Sequence, residues 1–349
     1  MAKGKESAKP HNPGLSILMA IMSFEMVVGY LWEINVKTSG VYGWISFLSG
    51  MAIPVFMMAE FIISEKQLKS DKSNGIWETI LKMIVPLVGW AVIYWGFYKV
   101  LEEALYPGYE LKIKDLVLQI ATGNSPYLNQ VMWYFVNRLA ITLFFMLVIL
   151  IASKFHNVIF IVIMAAALAM QYMGIVIGSG FRAEIAGCVG ELTEMFPLAA
   201  VGFLLAFYGA MEKTRKWWVV TMILSLAVIV LLRYYAVFTD ITGLGFAGVK
   251  RIVLAAALIL LFAAPPLEKL PDIVLKVIRV LTKHALGVFC MHRLISALLH
   301  YFISHRGWMT FIETYSFMDC VITYVICYLA ALLISLIPCR WTRMLVEND

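Results

Sequence analysis

The side chains best placed to do chemistry are ionisable groups set inside apolar stretches. Glu25 lies mid-stretch in 21–28 (IMSFEMVV), and His292 with Arg293 closes 286–293. Arg138 follows Trp133, Tyr134 and Asn137 in the stretch 131–151, and Glu60 comes late in 43–63. An ionisable residue at membrane depth costs several kcal/mol and is a functional candidate by default. His292 is suited to act as a general base or proton shuttle, and Glu25 to accept a proton. Arg138 can snorkel, pair with Glu25 or hold an anionic group such as a lipid phosphate. Each has a structural alternative: a protonated or paired carboxyl that packs helices, a snorkelled Arg, a hydrogen-bonded His. Glu60 can also sit harmlessly at a cytoplasmic end. Arg233 and Asp240 read as interfacial. Glu184, Glu191 and Glu194 beside Arg182 read as a solvated acidic loop. There is no phosphate loop, nucleophile elbow or metal-ligand spacing.

Those groups must be carried by membrane helices. Apolar residues make up 62% of 349 positions and charged ones 14%, against roughly half and a quarter in soluble domains. About ten stretches reach or approach the ~20 apolar residues that span a bilayer: 14–34, 43–63, 80–101, 131–151, 158–177, 195–210, 217–235, 252–264, 284–302 and 318–338. The sixth and eighth are short. A polar connection, 102–130, contains an amphipathic piece at 111–121, and a Gly- and Glu-containing loop precedes the sixth stretch. The expected fold is all-α and polytopic: a cytoplasmic tail at 1–13, one transmembrane domain at 14–338, and a cytoplasmic tail at 339–349. The five cysteines (Cys188, Cys290, Cys320, Cys327, Cys339) suggest neither a disulfide framework nor a metal site.

Orientation follows from Lys and Arg. Lys3, Lys5, Lys9, Lys66, Lys69, Lys72, Lys154, Lys213, Arg215, Lys216, Lys269, Lys276, Arg279, Lys283, Arg340 and Arg343 fall on one side. Lys37, Lys112, Lys114, Arg182 and Arg306 fall on the other, with Lys250 and Arg251 at its edge. Both termini are therefore expected in the cytoplasm. The net charge of +6 sits in short loops, as in a membrane protein rather than a nucleic-acid binder. Membrane lipids are the expected surroundings. No internal repeat marks an inverted-repeat transporter.

Several local patterns, in order along most of the chain, resemble the integral-membrane acyltransferase family 3. They are FMMAEFII at 56–63 after Pro54, IVP at 84–86 with VIYW at 92–95, MWYF at 132–135, FP at 196–197 with VGFLL at 201–205, and LGVFCMH at 286–292. The resemblance implies a ten-span protein of a bacterial cytoplasmic membrane. It would move acyl groups, commonly acetyl, from cytoplasmic acyl-CoA onto a cell-surface glycan or lipid-linked precursor, with no bound cofactor. The family's first span carries an Arg and, further on, a His that is its presumed base. The best registration places Met19 and Tyr30 there. Tyr30, with an ordinary pKa near ~10, is a poor base at neutral pH. Either Glu25 or His292 takes the base role, or this chain no longer transfers acyl groups. Arg138, Tyr30, Glu60 and Trp133 are then the candidates for holding substrate. The alternatives are an inactive relative that translocates a lipid-linked glycan through Glu25, Arg138 and His292, and an accessory subunit of surface-polysaccharide assembly.

Overall fold

The computed structural model describes residues 12–31, 40–68, 73–100, 110–123, 132–173, 183–238, 244–305 and 316–347. Every regular element among them is helical. Backbone groups in hydrocarbon have no water to bond and must be satisfied within the segment, which a helix does. The elements are α1 (Pro13–Leu31), α2 (Gly40–Ser49), α3 (Ala52–Leu68), α4 (Ser73–Val100), α5 (Ile113–Thr122), α6 (Trp133–Ile151), α7 (His156–Tyr172) and α8 (Ala183–Phe207). There follow α9 (Ala210–Lys216), α10 (Trp218–Phe238), α11 (Leu244–Phe262), a 3-10 turn (Pro265–Lys269), α12 (Asp272–Lys283), α13 (Ala285–His305), α14 (Ser316–Ser335) and α15 (Arg340–Val346).

Among the described residues seven helices are long and apolar enough to cross a membrane, and the pair α2–α3, bent by 50°, makes eight if taken as one span. Among the described residues each of the ten expected stretches falls largely on helix, with three differences in detail. The second is two helices with a corner at Gly50 and Met51, where the Met51 N–H donates to the Leu48 carbonyl at 2.8 Å. The sixth is not short, because α8 begins at Ala183 and absorbs the segment expected as a loop, Glu191 and Glu194 included. The eighth is likewise extended at its start, to Leu244. The basic connection at 269–283 is largely the amphipathic helix α12, with Thr282 donating to the Ser16 carbonyl at 2.7 Å. Residues 1–11, Lys37, Lys69, Lys72, Arg182, Asp240 and Arg306 lie outside the described residues, as do the side chains of Lys66 and Glu184.

Helix α1 is the hub. Two thirds of its span, 67%, is buried inside the protein, against 17% for α10, so α10 lies at the lipid-facing edge. Around α1 pack α2, α3, α11, α12, α13 and α14. The most extensive helix pair is α3 with α8, and Gly202 makes it possible. A Cβ at Gly202 would strike the Met58 carbonyl, and membrane helices use small residues for such backbone approaches. Gly202→Ala should lower stability by about 1–3 kcal/mol, as overpacking does. Thermal unfolding in detergent reads it, with Gly96→Ala, which meets open space, holding or raising the midpoint.

The described cations of the predicted cytoplasmic side gather at one end of the bundle. Arg215 reaches Glu268 at 2.7 Å, Lys283 reaches Glu347 at 3.1 Å and Arg340 reaches Glu78 at 3.6 Å. That ties α9, the 3-10 turn, α12, α15 and the start of α4 to the end where α1 begins.

Candidate functional site

An open cleft of about 840 Å³ lies between α1, the α2–α3 corner, α6 and α13. Met26 and Tyr30, one turn apart on α1, form one wall, and Gly29 lets the corner approach. A Cβ there would sit 3.3 Å from the Ser49 side chain and carbonyl. Trp133, at the start of α6, and His292 and Arg293 of α13 complete the lining. Three of the six residues singled out for chemistry, Tyr30, Trp133 and His292, thus meet in one place.

Tyr30 is the centre of this arrangement. Its ring meets His292 edge to face at 5.2 Å between centroids, and the Arg293 guanidinium lies 4.4 Å from its centre, within cation–π range. His292 is almost fully buried, and its Nδ1 lies 2.8 Å from the Phe289 carbonyl. A carbonyl only accepts, so Nδ1 carries the proton in the neutral ring and Nε2 is left as the basic nitrogen.

The backbone beside His292 is held in an unusual way. The Tyr94 hydroxyl of α4 donates to the Cys290 carbonyl at 2.8 Å and accepts from the Leu294 N–H at 3.0 Å. Those two groups form an i→i−4 pair of α13, so a neighbour's side chain engages the helix ladder across the turn that carries His292. Tyr94 is fully buried.

Below the cleft, along the same α3–α6–α13 seam, is another, mostly apolar gap of about 350 Å³. Ile53 lines both. Between them stand Tyr134 and Phe289, 5.3 Å apart, with Phe289 in turn 6.3 Å from His292. Glu60 and Arg138 face this gap and are bonded at 2.7 Å, both largely buried. Arg138 therefore pairs with Glu60 rather than Glu25, and Glu60 is no idle group at a helix end.

Glu25 is not among the residues lining either gap. It is buried, lies within electrostatic reach of Cys320 on α14, and its Oε2 has no hydrogen-bond partner among the described residues. On α14, Tyr324 bonds Ser23 at 3.0 Å and meets the Phe24 ring, so α1 turns this part of its surface to α14. Asn137 is buried next to Arg138, with neither amide atom bonded among the described residues.

Arg233 is enclosed by the protein rather than exposed, its guanidinium 5.8 Å and 5.9 Å from the Trp44 and Phe47 ring centres, joining α10 to α2. Glu194 pairs with Arg251 at 2.8 Å on the surface. Among the described residues no group of three His, Cys, Asp or Glu could hold a metal. Arg293 and Tyr94 are the site residues that the sequence marks only faintly. Arg293 has a signal in its place beside His292, whereas Tyr94 is one more aromatic in an apolar helix. Comparison of the chain with family models, with curated proteins and with solved structures finds no match in any of the three.

Proposed function

We propose that this chain is a membrane-embedded acyltransferase that O-acetylates a cell-surface glycan or lipid-linked precursor from acyl-CoA. In this reading it is a ten-span protein of a bacterial cytoplasmic membrane with both termini in the cytoplasm. The observation that carries the reading is the commitment of His292 Nδ1 to the Phe289 carbonyl, which leaves Nε2 as the proton-accepting nitrogen of a residue that lines the cleft. In the registration that sets Tyr30 at the family's His position, His292 is the ring in contact with it, so imidazole chemistry returns to the same place from another helix. Nε2 takes the proton of the acceptor hydroxyl, and the oxygen attacks the thioester carbonyl. The carbon–sulfur bond then breaks, and the imidazolium returns its proton to the leaving thiolate. The Arg293 charge beside the ring stabilises the oxyanion of the intermediate. Trp133 offers a flat apolar face to the acceptor, and Arg138 with Glu60 lines the inner gap.

The test is transfer of label from acetyl-CoA to membrane glycolipids by purified protein in liposomes. Glu25→Gln should retain transfer, because Glu25 does not line the cleft. No donor binding and no transfer by folded protein would overturn the enzyme reading. The two gaps set end to end along one seam favour the alternative, an inactive relative that translocates a lipid-linked glycan.

The orientation has its own test. The Thr342 and Trp341 N–H groups, with the Thr342 hydroxyl and the Arg343 charge, hold the Cys339 thiol below its ordinary value. More thiolate is then present at neutral pH than in a free cysteine. With Cys188 replaced by Ala, an impermeant maleimide should label Cys339 in inside-out vesicles and not in intact cells. At pH 7 it should do so faster than it labels a cysteine peptide. Cys290, Cys320 and Cys327 are buried and should react only after unfolding. Labelling in intact cells would reverse the orientation.

A further inference from the structure

At the bundle end that gathers the cations, a cleft of about 700 Å³ opens between α4, α12 and α15. Among the described residues its polar lining is Lys82, Lys283, Arg340 and Arg343 against Glu78 and Glu347: four positive charges to two negative. It is a built feature. The Trp90 indole N–H donates to the Leu345 carbonyl at 2.8 Å, pinning α15 to α4. A Cβ on Gly287 of α13 would crowd both Ala331 and Val346, so α15 is packed tightly on that side as well. Glu347, nearly buried, holds Lys283 at 3.1 Å. Arg340 and Arg343, one turn apart, project from the same short helix beside an exposed Trp341, a residue type that favours the lipid–water boundary.

We propose that this cleft binds the phosphate group of an anionic ligand, independently of any acyl transfer. The excess of two positive charges matches a phosphate. Guanidinium groups bind phosphate with paired, directional hydrogen bonds, and the concave site concentrates their field. The phosphate can belong to a lipid headgroup of the adjoining leaflet or to a soluble phosphorylated compound.

The test uses full-length protein in detergent. It is titrated with a short-chain phosphatidylglycerol, with the matching phosphatidylcholine, and with inorganic pyrophosphate, and binding is read from thermal shift and calorimetry. Wild-type protein is expected to bind phosphatidylglycerol or pyrophosphate, more weakly as salt rises. Lys82→Gln/Arg340→Gln/Arg343→Gln should bind at least tenfold more weakly, and Glu78→Gln more tightly. Preference for phosphatidylglycerol over both other probes assigns a lipid, and tight pyrophosphate binding assigns a soluble phosphate. No binding of either anionic probe by wild-type protein would overturn the proposal. So would binding unchanged in the triple variant, or, if that variant does not fold, binding unchanged in Glu78→Gln.

Discussion

Replacing His292 with alanine should lower acyl transfer by about two to four orders of magnitude, the usual contribution of a positioned general base. The expectation rests on position. His292 is the imidazole lining the cleft, and its Nδ1 is already committed to a carbonyl, so Nε2 is the nitrogen that can accept a proton in the proposed reaction. Tyr30→Phe should by contrast keep most of the activity, because Tyr30 meets His292 and Arg293 through its ring face and edge. The pair of variants separates a proton-transfer role from a packing role. Loss in both would make the aromatic cluster structural, and His292→Ala transferring like wild type would remove His292 from the chemistry. Size-exclusion profiles and unfolding midpoints of the variants show that any loss is not one of fold.

The other large effect is expected at Arg138 and Glu60. Breaking a buried ion pair by removing one partner typically costs about 3–5 kcal/mol, because the other charge stays buried and uncompensated. Arg138→Met and Glu60→Leu should each lower stability by an amount of that order. Glu60→Leu/Arg138→Met, which removes both charges and keeps most of the bulk, should lose far less than the single losses combined. The comparison is a double-mutant cycle in thermal unfolding. Additive losses would mean that the 2.7 Å contact carries no coupling. The same variants bear on function: the pair lines the inner gap, so variants that remove it should raise leakage of small solutes if the seam is a pathway.

The helices were legible in the sequence because about twenty apolar residues in a row have few other uses. The described parts of all ten stretches lie largely on helices for that reason. What was less legible follows from local physics. The corner at Gly50 sits in a run without charges, where Ser49-Gly50 and Pro54 are a weak bend signal that the length of the run outweighs. The first turns of α8 read as loop because Glu191 and Glu194 are polar, yet a helix end facing water tolerates them, and Glu194 is half exposed beside Arg251. Helix α12 read as a basic connection because its apolar positions are spaced along one face rather than run together. At the site, the residue types were legible and the partnerships were not. By sequence, Glu25 is the carboxylate offered to Arg138, whereas the packing of α3 against α6 sets Arg138 against Glu60. Nothing in a single chain pairs Tyr30 with His292, which lie 262 positions apart, or sets the Tyr94 hydroxyl against α13.

The grip of Tyr94 on α13 has a mechanical consequence. One turn earlier on α4, Trp90 holds the carbonyl of Leu345 in the last helix, and the two rings stand 6.3 Å apart. A single turn of α4 therefore grasps the carboxyl end of the chain with one side chain and the backbone beside His292 with the next. Pulling the last helix away from its seat loads the same short lever that keeps the imidazole in register.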